Sequence, residues 1–262
     1  MATSGSTNYS ITRDTIITEA GQICGFVEEG GTPTANQLSD CSRTLNMLVK
    51  NQMKEALHLW LNTELVVFPV VNQAKYTFAV SGSDRMCLSS ELATTKLNGA
   101  HASGATSLTV DSITGISNGD VIGVVTDDSG IHWTTVNGVP SGTTVVLTTG
   151  LDSTASDNDR VFTYTTAFTQ KIARINNAWV RTTDDEDVIV TVRSREEYAT
   201  LSNKTTNGRP NQIYFTPLYL TSVMYQWPVS DDSYTNDRLY LYVERYIEDF
   251  DAATDDADYP QE

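Results

Sequence analysis

The hydrophobic period changes once along this chain, from helical to strand-like near Leu65, and that change limits the possible folds more than any other feature. After Thr12, with Asp14 where the helix dipole favours an acid, Ile16, Ile17, Ala20, Ile23, Cys24 and Val27 recur on one helical face. Gly25 and the pair Gly30-Gly31 end that helix. Pro33 then precedes Thr34, which has capping-box spacing to Gln37. A second helix is expected to carry Leu38, Cys41, Leu45, Leu48, Val49, Met53, Ala56, Leu57 and Trp60. The simplest product is an N-terminal helical hairpin.

From Leu65 onward short β-branched and aromatic runs take over. Val66-Val67-Phe68 and Tyr76-Thr77-Phe78-Ala79-Val80, separated by a polar stretch, are expected to pair as a hairpin. Residues 95–166 have a composition of their own, rich in Thr, Ser, Gly, Asp and Val. They hold five strand-like runs at Ser107–Val110, Val121–Val125, His132–Val136, Thr144–Leu147 and Arg160–Tyr164. Turn signals at Asn118-Gly119-Asp120, Asp128-Ser129-Gly130, Asn137-Gly138 and Ser141-Gly142 separate them. Beyond this block, Ala178-Trp179-Val180 and Val188–Val192 flank the acidic tip Asp184–Asp187, and Ser194 with Glu197 marks a short capped helix. Leu239, Leu241 and Val243 alternate with Tyr240 and Tyr242, so both faces of that strand need cover, from a second layer or a neighbouring subunit. The expected fold class is α+β: an N-terminal helical hairpin packed with a β-rich body that carries an inserted small all-β domain, a barrel or sandwich. The expected divisions are residues 1–94 (hairpin and first strands), 95–166 (the insert) and 167–262 (the rest of the body and an acidic tail).

Length and composition narrow the function. With 262 residues, 39% hydrophobic and 19% charged, a substantial core is within reach and disorder is not expected. The longest apolar run, Leu65 to Val71, is far below the ~20 residues of a spanning helix and contains Pro69. Residues Met1 to Ser10 lack the basic start and apolar stretch of a secretory signal. A formal charge of −16 repels nucleic-acid phosphates, which disfavours a sequence-reading nucleic-acid binder. Cys24, Cys41 and Cys87 are odd in number and widely spaced, so they are expected to be buried, reduced packing residues.

No motif for dinucleotide, phosphate, zinc or nucleophile-elbow chemistry occurs, and His58, His101 and His132 stand far apart. Four consecutive acids, Asp184 to Asp187, have the charge to chelate calcium but are more simply a solvated turn. The C-terminal acids from Glu248 to Asp258 lack the glycine and terminal glutamate of an EF-hand loop. Gly115, Gly119 and Gly123 fit turns and bulges. The Tyr- and Trp-rich stretch from Tyr214 to Tyr246 has few bases, which favours packing over base stacking. No catalytic, cofactor-binding or metal-binding residue is singled out, and no enzymatic activity is expected.

Several strings, taken in order, carry a resemblance. Thr12-Arg13-Asp14-Thr15-Ile16-Ile17-Thr18-Glu19-Ala20, Gly31-Thr32-Pro33-Thr34-Ala35, Leu45–Lys50 and Leu57-His58-Leu59-Trp60 look like the opening of phage head-to-tail adaptors, the tail accessory or head-completion proteins of short-tailed phages. Ser194-Arg195-Glu196-Glu197-Tyr198, Asn207-Gly208-Arg209-Pro210, Gln226-Trp227-Pro228-Val229 and Glu248-Asp249-Phe250-Asp251 are similar to the same family in the same order. The likeness covers both flanks and skips residues 95–166. It implies a virion protein, made in the host cytoplasm, that forms a ring of generally twelve copies between the portal protein and the tail or nozzle proteins. Genomic DNA would pass through that ring without sequence-specific binding, and acidic walls would keep the duplex from sticking. Similar proteins begin a C-terminal helical segment where this sequence reaches Tyr259-Pro260-Gln261-Glu262. Two other classes fit the same residues: a tail-tube or nozzle protein, and a glycan-binding or cell-wall-degrading module.

Overall fold

The computed structural model describes residues 11–52, 61–79, 85–128 and 130–256. The chain divides into two compact units, one of residues up to Asn62 together with those from Tyr246 onward, the other running from Thr63 to Arg245.

In the first unit, α1 (Arg13–Ile23) starts at Thr12, whose hydroxyl accepts a hydrogen bond from the Thr15 amide. It stops at Cys24 and Gly25, the latter at φ +76°, a conformation glycine adopts without a Cβ penalty. Phe26 folds back over α1 so closely that a Cβ on Gly21 would lie 2.9 Å from its ring. The second helix, α2 (Ala35–Gln52), opens with the expected reciprocal cap: the Gln37 carboxamide accepts from the Thr34 amide at 2.8 Å, and the Thr34 hydroxyl accepts from the Gln37 amide. Its expected continuation through Met53, Leu57, His58 and Trp60 lies outside the described residues. The acidic segment from Tyr246 is ordered against these helices. Asn46 clamps the backbone of Phe250 in both directions, Lys50 pairs with Asp249 at 2.7 Å, and the Arg13 amide donates to the Asp255 carbonyl. Val49, Leu61, Ile247 and Phe250 form the small core beneath, with Ile16 and Leu45 against it. Burial of each such large side chain stabilises by roughly 1.5–3 kcal/mol.

Among the described residues the chain then forms β1 (Asn62–Val67), β2 (Lys75–Phe78), β3 (Met86–Leu88), β4 (Ala93–Lys96), β5 (Ser107–Thr109), β6 (Val121–Val125) and β7 (Ile131–Thr135). It continues with β8 (Thr144–Val146), β9 (Arg160–Tyr164), β10 (Ile172–Arg181), β11 (Asp187–Arg193), the short helix α3 (Arg195–Thr200), β12 (Gln212–Pro217), β13 (Ser222–Trp227) and β14 (Arg238–Arg245). With three α-helices among the described residues and a β-rich body, this is a mixed α/β chain.

Eight strands form one sheet in the order β2-β13-β12-β11-β10-β14-β1-β3. The expected hairpin between the first two strands does not form: β1 pairs antiparallel with β3, Val66 opposite Cys87, while β2 pairs with β13 at the other end of the sheet. The seven residues from Phe68 to Ala74 reach at most ~25 Å when extended, so strands far apart in sheet order lie close in space and the sheet must curl. The curl encloses Leu65, Val67, Tyr76, Phe78, Ile213, Met224, Leu239, Leu241 and Val243, each fully or almost fully buried. The 178–192 hairpin is as expected, with Ala178 opposite Val190, but β11 then pairs parallel with β12. The Ser194 capping box is complete, closing α3 between those two strands.

Residues 93–164 contribute no strand to that sheet. They form a four-stranded sheet, β4-β9-β6-β7, and a two-stranded one, β5-β8, around Leu97, Leu108, Ile122, Val124, Val145, Leu147 and Val161. All five expected runs are strands. Gly115 and Gly119 serve turns at φ +79° and +90°. Gly123 corrects the turn-or-bulge reading: it lies in β6 opposite Trp133, whose ring a Cβ would meet at 2.6 Å, so glycine admits the indole.

The residues that alternate to the outer face of β1, β3 and β14 join this second set of sheets. Val66, Phe68, Cys87 and Tyr240 pack with Val125, Phe162 and Tyr164, and Trp133 meets Phe68 edge-on at 4.8 Å. The second face of Tyr240 is therefore covered by the chain itself, which overturns a neighbouring subunit as its cover; Tyr242 stays 37% exposed.

Candidate interaction surfaces

The residues with chemical potential are mostly engaged structurally. His132 is buried, with Nδ1 3.2 Å from Asp152 and Nε2 facing the Thr149 carbonyl. His101 Nε2 accepts from the Thr109 amide at 3.1 Å, which fixes its tautomer with the proton on Nδ1. His58 lies outside the described residues. At the acidic tip, Asp185 takes both Arg160 and Arg238, and Asp187 takes Arg181. Those arginine hydrogen bonds hold both carboxyls below the usual range. Asp237 goes the other way: burial raises its pKa and outweighs the contact from Arg209 at 2.8 Å. Among the described residues no group of three or more His, Cys, Asp or Glu is placed to hold a metal ion. In the C-terminal run, the Asp255 carboxylate accepts from the amides of Asp251 and Ala252.

The aromatic stretch is packing. Tyr214 and Tyr225 stand opposite each other on β12 and β13 with centroids 6.0 Å apart, and Tyr198 of α3 stacks on Tyr214 at 5.4 Å. The Lys204 ammonium lies over the Tyr198 ring and donates to the last carbonyls of α3.

The cysteines depart from expectation. Cys87 is buried as expected, and desolvation with the nearby Glu91 charge pushes its thiol up to about 12. Cys41 is half-buried and Cys24 is exposed, because α1 ends there and Gly25 turns the chain away before a second layer covers it. In the dilute, unassembled native chain treated with a maleimide at pH 7.5, Cys24 should react first and Cys41 next, with Cys87 reacting only after denaturation. Equal rates for Cys24 and Cys87 in the native chain would contradict this placement.

Among the described residues, two apolar surfaces stand out as exposed. The first is a groove of about 290 Å³ between α1 and α2, lined by Ile16, Ala20, Cys24, Phe26, Leu45 and Leu48. Ile23, which precedes Cys24, is 86% exposed. The second is the β12–β13 turn, where Leu218, Tyr219 and Leu220 are 49%, 92% and 75% exposed. The turn is held by a Leu218 amide to Thr221 carbonyl bond and by Lys171, whose ammonium donates to the Tyr219 carbonyl. Three consecutive exposed large apolar residues are not what a solvated turn uses. Sequence reasoning passed over this tip, although Pro217-Leu218-Tyr219-Leu220 lacks every polar turn residue.

Compared with models of known protein families and with curated proteins, the chain matches none.

Proposed function

We propose that this chain is a non-enzymatic virion component, a head-to-tail adaptor that forms a ring beneath the portal, extends the DNA channel and receives the tail. The observation that carries the reading is how the resembling strings divide over the fold. They fall on the two flanks, and the eight-stranded sheet is built from those flanks alone, residues 62–88 and 172–245. In this reading 95–166 is a β domain inserted into a loop of the adaptor body, projecting for a contact of its own, and the two N-terminal helices form the hairpin of the adaptor. The uncovered apolar groove and tip support an assembling protein, since a soluble monomer seldom leaves such patches open.

Electron microscopy of the purified chain, alone and mixed with its cognate portal rings, tests the proposal. Rings that stack coaxially on the portal are expected, with the copy number read from top views. Rings or tubes that ignore the portal would favour a tail-tube or nozzle role, and turnover of a glycan by a chain that stays monomeric with the portal would replace the adaptor reading altogether.

A further inference from the structure

We propose that the Leu218-Tyr219-Leu220 tip of one copy docks into the α1–α2 groove of the next, and that this head-to-tail contact propagates the ring. The inference rests on the adaptor reading and specifies its subunit interface.

The two surfaces are complementary in shape: one is a convex apolar turn, the other a concave apolar groove with room for two large side chains. They are also complementary in charge. In a chain of formal charge −16, no carboxylate occurs from Tyr198 to Ser230, and Lys171 places a cation against the tip itself. On the groove side, Glu28 and Glu29 follow Phe26, while Asp40 in the wall is already paired with Arg43. The tip thus brings a lysine and no acid to a groove that two glutamates adjoin in sequence, which disfavours tip-to-tip and groove-to-groove pairing. Passed from each copy to the next, and not exchanged between two, the contact is heterologous and closes as a ring; a reciprocal two-fold dimer in the micrographs would overturn it.

The groove supplies its own reporter, since Cys24 and Cys41 both line it. In the full chain carrying Leu220→Cys, mild oxidation should give a ladder of covalent oligomers on non-reducing gels. Cys24→Ser with Cys41→Ser should abolish the ladder, and Val139→Cys, at an exposed position elsewhere, should give none. Separately, Tyr219→Asp with Leu220→Asp should leave circular dichroism unchanged and thermal unfolding equal to that of dilute wild-type monomer, because the tip is solvent-exposed, while at least 90% of the protein runs as monomer. Wild-type rings with no ladder, or rings that persist in the double aspartate variant, would overturn this contact and leave the adaptor reading standing. A wild-type chain that stays monomeric with portal present would remove both. Co-sedimentation with phosphatidylcholine vesicles that the aspartate variant loses, with no ladder, would instead make the tip a membrane-inserting loop and overturn the proposal.

Discussion

Tyr240→Asp is expected to unfold much of the Thr63–Arg245 unit, whereas Tyr240→Phe should remain close to wild type. Tyr240 is 4% exposed. Its ring stacks on Trp179 at 5.6 Å and 9°, carries the Arg181 guanidinium 4.5 Å from its centroid, and joins the layer of Phe68, Phe162 and Tyr164. Removing a buried aromatic costs ~3–5 kcal/mol, and a carboxylate left in that layer adds a desolvation cost of several more. The sum is comparable with the whole ~5–15 kcal/mol of a typical domain. Loss of near-UV circular dichroism and of a cooperative thermal transition is the expected readout. Because the layer joins the curled sheet to the sheets of residues 93–164, the loss should appear in dilute monomer, before any assembly. A variant that melts as wild type and fails only to form rings would return Tyr240 to a subunit interface.

The elements that the sequence announced are those whose cause is local. The caps at Thr34–Gln37 and Ser194–Glu197 need four residues and no partner, and both are made as spaced. The 178–192 hairpin follows from two alternating runs around a charged tip, and the runs of residues 107–164 were legible as strands because turn residues bound each one. Pairing was not legible. Val66-Val67-Phe68 shows which residues share a face, yet nothing in it says that Cys87 rather than Tyr76 lies opposite, since curling decides which strand ends meet. The parallel β11–β12 pair was hidden for the same reason. The cover on Tyr240 comes from residues remote in sequence, such as Trp179 on β10 and Phe162 on β9, which alternation cannot reveal. Cys24 was misread because an apolar helical period marks a face and not whether a second layer reaches it. Of the two candidate surfaces, the groove was implicit in the helical stripe of Ile16, Ala20, Leu45 and Leu48, and the tip was visible only as a turn without turn residues.

Asp185→Asn should destabilise the chain by about 1.5–3 kcal/mol at neutral pH and by progressively less as the pH falls below ~4. The Asp185 carboxylate accepts from Arg160 at 2.9 and 2.8 Å and from Arg238 at 2.7 Å, joining the tip of the β10–β11 turn to β9 and β14. Asp185 is itself 59% exposed, but the Arg238 side chain is 5% exposed and the Arg160 side chain 16%. Losing the carboxylate leaves two confined guanidinium groups facing each other without their shared counter-ion, and that cost follows the arginines' burial more than the carboxylate's. The hydrogen bonds from Arg160, the largest cause, and from Arg238 hold the folded carboxyl well below its unfolded value of ~3.9. A depressed acid contributes stability that is present above the unfolded pKa and is lost as the pH falls through the folded one. The wild-type advantage should therefore be flat from pH 5 to 8 and shrink between pH 4 and 2. Asp187, lowered by Arg181, contributes with the same sign and is lowered further in the variant, because the Asp185 charge that raises it is gone; Asp237, raised by burial, contributes with the opposite sign in both proteins. Urea unfolding of both proteins at pH 7, 4 and 3 measures it. A difference that stays constant across this range would show that Asp185 acts through turn geometry and not through its charge on Arg160 and Arg238. The pair at Arg181 and Asp187, with side chains 33% and 46% exposed, is the internal comparison: Asp187→Asn should cost under ~1 kcal/mol, because solvent already screens both groups.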